Sequence, residues 1–165
     1  SRADVVSLLG GVYEHAPWVA ESLFDQGLTE ADTYNELLAN RMQSIVDTAN
    51  ADKKLELLCA HPELAGKLAL SGDLTKDSNA EQLSAGLDQC SKEELAEFQR
   101  LNRAYKKRFG HPFIIAVRGF TRAQILDEFR NRLLNTKETE FTKAVAEVHT
   151  IARFRLRDLL GSHTL

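Results

Sequence analysis

The chain has 165 residues, enough for one domain that buries a core of its own. Its 43% hydrophobic and 27% charged content and net charge of −3 are those expected of a soluble globular protein. Acids and bases are interspersed, which leaves no basic field for nucleic acid and no polybasic membrane anchor; apolar runs such as Phe113 to Val117 are far too short to span a bilayer.

Helical periodicity dominates, with few strand signals and no repeat or linker. Val5, Val6, Leu8 and Leu9 open a short helix that stops at Gly10-Gly11. Pro17 suits the first turn of a second helix, running through Phe24 and ended near Gly27. A third is expected from about Thr33, with Tyr34, Leu37, Leu38, Ile45 and Val46 on its apolar face. Asp52 is expected to cap a fourth that carries Leu55, Leu58 and Cys59.

Pro62 then forces a break, because the residue before a proline avoids the α region while proline itself suits a first helical position. His61 accordingly reads as the N-cap of a short helix over 62–70. The polar stretch SGDLTKDSN (71–79) comes next as a loop. Ser78 and Glu81 have capping-box spacing for a helix near 79–89, and Ser91 and Glu94 repeat it for a longer one that ends at Gly110. HPFIIAV (111–117) reads as an extended apolar connection whose His-Pro bond is expected to be trans. Thr121 caps another helix to about Leu134, and the last runs from about Lys137 to Leu160. The expected architecture is a single all-α domain over 1–165, a bundle of eight to nine helices packed orthogonally and antiparallel.

Cys59 and Cys90 lack metal-ligand spacing and are expected to be buried free thiols, which suits a reducing, cytoplasmic setting. No charged-then-apolar signal segment opens the chain, and a start at Ser1 suggests a trimmed N-terminus. The ending Ser162-His163-Thr164-Leu165 is not the Ser-Lys-Leu peroxisomal address.

Three polar side chains each admit two readings. His61 is either a plain helix cap or a neutral imidazole beside free amides, able to act as general acid or base. Glu81 is either a capping-box member or a carboxylate that also faces a pocket. Arg155 lies on the buried stripe of the last helix with Phe141, Ala144, Val145, Val148, Ile151, Ala152 and Leu159, while Arg153 and Arg157 point to solvent. An inward guanidinium needs a partner, so it is either half of a structural salt bridge or an anchor for carboxylate or ureido oxygens. His15 and His111 read as loop residues, and His149 falls off the stripe. No pair of histidines has metal-site spacing, so a hydrolase built on His61 and Glu63 is a weak rival. The irregular 111–117 segment offers backbone groups to a heterocycle.

Five stretches in this order are similar to one family: LGGVYEHAPWVAE (9–21), HPELAGK (61–67), SNAEQLSAGLDQ (78–89), FQRLNRAYKKRFGHPFIIAVRG (98–119) and EVHTIARFRLRDLL (147–160). The sequence resembles the 2-oxo-4-hydroxy-4-carboxy-5-ureidoimidazoline (OHCU) decarboxylases, the last enzymes of the ureide branch of purine breakdown, over nearly its whole length. The resemblance implies a cofactor-free, all-helical, commonly homodimeric enzyme that removes the ring carboxylate and protonates the carbanion on one face, giving (S)-allantoin. It implies His61, Glu81 and Arg155 as catalytic residues, and Pro62, Ser78, Gln82 and the backbone of Phe113, Ile114 and Ile115 as substrate contacts. No metal is implied. Ala16 stands where many relatives have serine, and His111 where many have phenylalanine. The C-terminal tetrapeptide points to a bacterial, cytosolic version working beside separate urate oxidase and hydroxyisourate hydrolase activities. A rival from another class is a helical scaffold that keeps the fold without the chemistry.

Overall fold

The structure, a computed structural model, describes residues 1–161, the side chain of Leu68 excepted. Nine α-helices succeed one another among them: α1 (Arg2–Leu9), α2 (Trp18–Asp25), α3 (Asn35–Asp47), α4 (Ala51–Cys59), α5 (Lys67–Ser71), α6 (Lys76–Ser84), α7 (Lys92–Phe109), α8 (Arg122–Arg132) and α9 (Lys137–Leu160). Short 3-10 turns at Glu30–Thr33 and Leu87–Gln89 add to them, and the described residues hold no strand. The chain divides into two compact units, one of Ser1–Ala60 with Val148–Leu165 and one of His61–Glu147.

In the first unit α1 packs on α2 and α2 on α3, burying Leu9, Val19, Ala20, Leu23, Leu38, Met42 and Val46. Asn50 caps α4 by accepting from the Lys53 N–H, so the cap lies two residues before the expected Asp52, which sits in the first turn instead. Tyr34 and Leu37, expected on the buried face of α3, are exposed. Cys59 is also exposed and Cys90 only half-buried, which overturns the expectation of two buried thiols. Cys59 comes one position after the buried Leu58, a step of 100° that carries it off the packed face.

In the second unit, Leu64, Leu87, Phe98, Leu101, Tyr105, Phe113, Ile115, Val117, Ile125, Leu126 and Phe129 form one apolar cluster. The expected boundaries hold for α7: Ser91 and Glu94 make a capping box, and Gly110 ends the helix at φ 82°, where an L side chain would be strained. Thr121 and Gln124 box the start of α8. The Ser78–Glu81 box does not form. Thr75 is the N-cap of α6, its hydroxyl accepting from the Ser78 N–H, so both Ser78 and Glu81 lie inside the helix. Gly86 at φ 70° stops α6 where the sequence pattern would have carried it to residue 89.

The proline break at Pro62 is present, but no helix starts there. Residues 62–66 are non-helical and α5 begins at Lys67, so His61 is not an N-cap. Ala65 adopts φ 48°, which helix geometry excludes, and the backbone of 63–65 bonds to side chains instead. The identity of residues 162–165 as a non-peroxisomal ending lies outside the described residues. No helix among the described residues is long and apolar enough to cross a membrane.

Candidate active site

His61 opens the second unit at 8% exposure, on a loop with no regular hydrogen bonding of its own. Two amide side chains take over that work. Gln82 on α6 accepts from the Ala65 N–H at 3.0 Å and donates to the Glu63 carbonyl at 3.2 Å. Asn102 on α7 donates to the Leu64 carbonyl at 2.9 Å. Each such bond contributes about 1 kcal/mol net, and leaving a buried group unmet costs about 1–3 kcal/mol. Gly66 closes the loop, since a Cβ there would lie 2.7 Å from Glu63 Cβ. The imidazole is thus carried on a loop tied to α6 and α7, directly after the C-cap of α4, rather than at a helix N-terminus.

Pro62 is half-buried beside it. On α6, Ser78 is buried and Glu81 half-buried, one residue before the Gln82 that holds the loop.

The 111–117 segment is irregular, as expected, and it is buried throughout. Two side chains bind alternate residues of it. Arg132 Nη1 donates to the Ile114 carbonyl at 2.6 Å, and the Ala116 N–H donates to Glu147 Oε2 at 2.9 Å. Arg132 is 3% exposed, lies over the Phe113 ring at 4.5 Å, and is ion-paired with the fully buried Glu140. Glu140 also accepts from the Tyr105 hydroxyl and from Asn135 Nδ2, so its charge is met on every side. Burial and the adjacent Glu140 carboxylate push the Tyr105 hydroxyl well above its ordinary value, keeping it a donor. Phe113 stacks on Phe129 with centroids 3.9 Å apart. Among the described residues the backbone N–H and C=O of Phe113 and Ile115 have no hydrogen-bond partner, whereas the Ile114 carbonyl is taken.

Arg155 belongs to the first unit. It is 7% exposed, as its place on the α9 stripe predicts, and Nη1 donates to Glu14 Oε2 at 2.6 Å and to the Gly11 carbonyl at 3.3 Å. Glu14 is itself 2% exposed, so the pair is a buried one. Arg153 lies partly exposed against Glu36, and Arg157 is exposed. His149 departs from expectation: it is buried, with Nδ1 2.8 Å from the Tyr13 hydroxyl and Nε2 2.9 Å from Asp47 Oδ1. His149 and Leu156 are buried beside Val145 and Ala152 of the expected stripe, so α9 packs a wider face than that stripe alone. Leu159, assigned to that stripe, is 46% exposed.

The structure therefore ties His61's loop to the helix of Ser78, Glu81 and Gln82, and fixes Phe113 to Ile115 in the same unit. Arg155 sits in the other unit with Glu14. Asn102, Arg132, Glu140, Tyr13 and Glu14 do supporting work that spacing does not single out. The described non-glycine residues with positive φ are two, Ala65 at 48° and His15 at 51°, one in the His61 loop and one directly after Glu14. No group of three or more His, Cys, Asp or Glu among the described residues is arranged to hold a metal.

Two buried, ion-paired arginines and a histidine loop held by amide side chains make this an all-helical protein with polar sites built into its interior. The OHCU decarboxylase family profile matches residues 1–157, and the chain belongs to that family. A 2-oxo-4-hydroxy-4-carboxy-5-ureidoimidazoline decarboxylase from Haloferax volcanii is 39% identical over 158 residues, covering 95% of this chain and 89% of that one. Among solved structures, an (S)-allantoin synthase matches with TM-score 0.75 and 36% identity over 96% of this chain, which spans about half (50%) of that longer one. An OHCU decarboxylase crystallised in the presence of (S)-allantoin matches with TM-score 0.71 and 25% identity, over 88% of this chain and 92% of that one.

Proposed function

We propose that this protein decarboxylates 2-oxo-4-hydroxy-4-carboxy-5-ureidoimidazoline to (S)-allantoin without metal or organic cofactor, the third step of urate degradation. The observation that carries the reading is the family match over 1–157, which takes in His61, Glu81 and Arg155 together. In this reading the bond from the ring carbon to its carboxylate breaks, carbon dioxide leaves, and the electron pair is delocalised into the ring carbonyl–imine system. His61 then delivers a proton to one face of that carbon. Arg155 anchors carboxylate or ureido oxygens with its planar fork. Glu81 accepts from ureido and ring N–H groups, with Pro62 and Ser78 lining the same substrate. The backbone of Phe113, Ile114 and Ile115 reads the ring edge, and the unpartnered groups of Phe113 and Ile115 support that part most directly. Gln82 contributes by contact and by holding the loop that carries His61. Catalysis then rests on positioning and electrostatic stabilisation.

The reading takes residues 1–165 as one domain, acting as a homodimer in the cytoplasm on a small molecule, with no nucleic-acid or membrane partner. Its test is His61→Ala assayed on freshly generated substrate. The variant is expected to keep the wild-type urea midpoint and lose ~10²–10⁴-fold in turnover, the range of one acid–base residue. Wild-type turnover in it would remove His61 from the mechanism.

A further inference from the structure

The first unit contains a polar chain that the proposed chemistry does not use. His149 on α9 stands between Asp47 on α3 and Tyr13 in the segment after α1, at 2.9 and 2.8 Å. A carboxylate only accepts, so His149 Nε2 carries the proton and donates to Asp47; Nδ1 then accepts from the Tyr13 hydroxyl. Tyr13 is 2% exposed and packs edge-on to the imidazole, with centroids 5.9 Å apart. The very next residue is Glu14, whose Oε2 holds Arg155 Nη1, and Gly11, two residues before Tyr13, accepts from the same nitrogen. The 11–14 segment is not helical and His15 leaves it at φ 51°; a turn closed by the Ala16 N–H on the Tyr13 carbonyl at 3.0 Å ties Glu14 directly to Tyr13, so where Tyr13 sits sets where Glu14 points.

We propose that Tyr13 and His149, anchored on Asp47, are positioning residues that set the segment carrying Glu14 and so aim the Arg155 guanidinium. The inference rests on Arg155 serving the decarboxylation as its substrate anchor. A guanidinium that slips by about 1 Å still binds weakly but costs up to ~10²-fold in rate against dilute substrate. The arrangement also has a direction in pH. A second proton on His149 must enter at Nδ1, where it faces the Tyr13 hydroxyl and forces that group to accept instead of donate. Around the imidazole, α3 presents Asp47, α4 presents Lys54, α9 itself presents Arg153, and the 11–14 segment presents Tyr13. Burial resists the second proton, and Lys54 and Arg153 oppose it further, while Asp47 favours it.

The experiment is steady-state kinetics of Tyr13→Phe, which keeps the packed ring and removes only the hydroxyl. The expected result is a KM raised roughly 10- to 100-fold with a smaller change in kcat. In an Arg155→Lys background the same substitution is expected to add less than about twofold, since both act through one group. On the acid side, the wild-type KM is expected to rise as His149 protonates, and Tyr13→Phe to flatten that rise. His149→Asn, which retains an acceptor near Nδ1, is expected to stay closer to wild type than His149→Leu, and this pair decides the matter should Tyr13→Phe fold poorly. A wild-type KM in Tyr13→Phe, full additivity with Arg155→Lys, or equal KM values in the two His149 variants would each overturn the proposal. An inactive wild-type protein would instead sink the decarboxylase reading itself, so the two failures are told apart by the first assay.

Discussion

Arg155 is tolerated at 7% exposure because Glu14 meets it at 2.6 Å. Removing one partner of a buried ion pair strands the other and typically costs ~3–5 kcal/mol. Glu14→Ala is therefore expected to lower unfolding free energy by about that amount, and Glu14→Gln by less, because the amide oxygen still accepts. Urea titration of the two variants measures the difference; equal, small losses would mean the pair carries little of the burial. The amino-acid sequence discloses one half of this arrangement. Arg155 is legible because it falls seven residues beyond Val148 on an apolar stripe. Glu14 is not, since the pairing joins residues 141 positions apart and no periodicity links them. His149 reads as off-stripe when one row of contacts is considered, whereas α9 buries two adjacent rows and its polar side chain is met by Tyr13 and Asp47.

Helix ends are readable where glycine or a capping box fixes them, as at Ser91, Gly110 and Thr121. They are ambiguous where two Ser/Thr candidates lie within one turn of each other. Thr75 takes the cap from Ser78 because its hydroxyl accepts from the Ser78 N–H and its carbonyl from the Asn79 N–H, which places Ser78 inside the first turn. The break at Pro62 is plain from proline stereochemistry. The path of residues 62–66 is not, because that loop is held by Gln82 and Asn102 from distant segments. The 111–117 piece is a similar case: its extended, apolar character is legible, but not the Arg132–Glu140 pair that holds it. Glu140→Ala would leave Arg132 buried without its anion and withdraw the acceptor of Tyr105, so a loss of ~3–5 kcal/mol is expected. Turnover should fall in parallel as the Phe113–Ile115 backbone loosens, measured at a temperature where the variant stays folded. Unchanged stability with Arg132 still buried would contradict this role for the pair.

At the level of the whole molecule, acidification should act in two steps. Burial holds His111 and His149 below the ordinary histidine value of 6.5. The unfolded chain binds those protons more readily, so the stability they contribute is full above 6.5 and is lost as pH falls through the lower folded values. Glu97 is drawn down to about 2 by its hydrogen bond from Arg100, aided by Arg130, so its contribution is full above 4.5 and is lost as pH falls from 4.5 toward about 2. Glu97 is partly exposed, which keeps its share small. The urea midpoint should accordingly be flat near neutrality, decline from pH 6.5 downward, and decline further below 4.5. His111→Phe should make the first decline shallower; an unchanged slope would exclude His111 as a contributor.

The proposed activity comes down to one claim: this chain accelerates decarboxylation and protonates one face of the carbanion through His61. Circular dichroism of the allantoin formed from freshly generated ureidoimidazoline tests it most directly, with wild type, His61→Ala and no protein run side by side. The expected record is rapid appearance of the (S) signal with wild type, and slow formation of optically inactive product in the other two. Optically inactive product from the wild type, formed no faster than without protein, would contradict the claim.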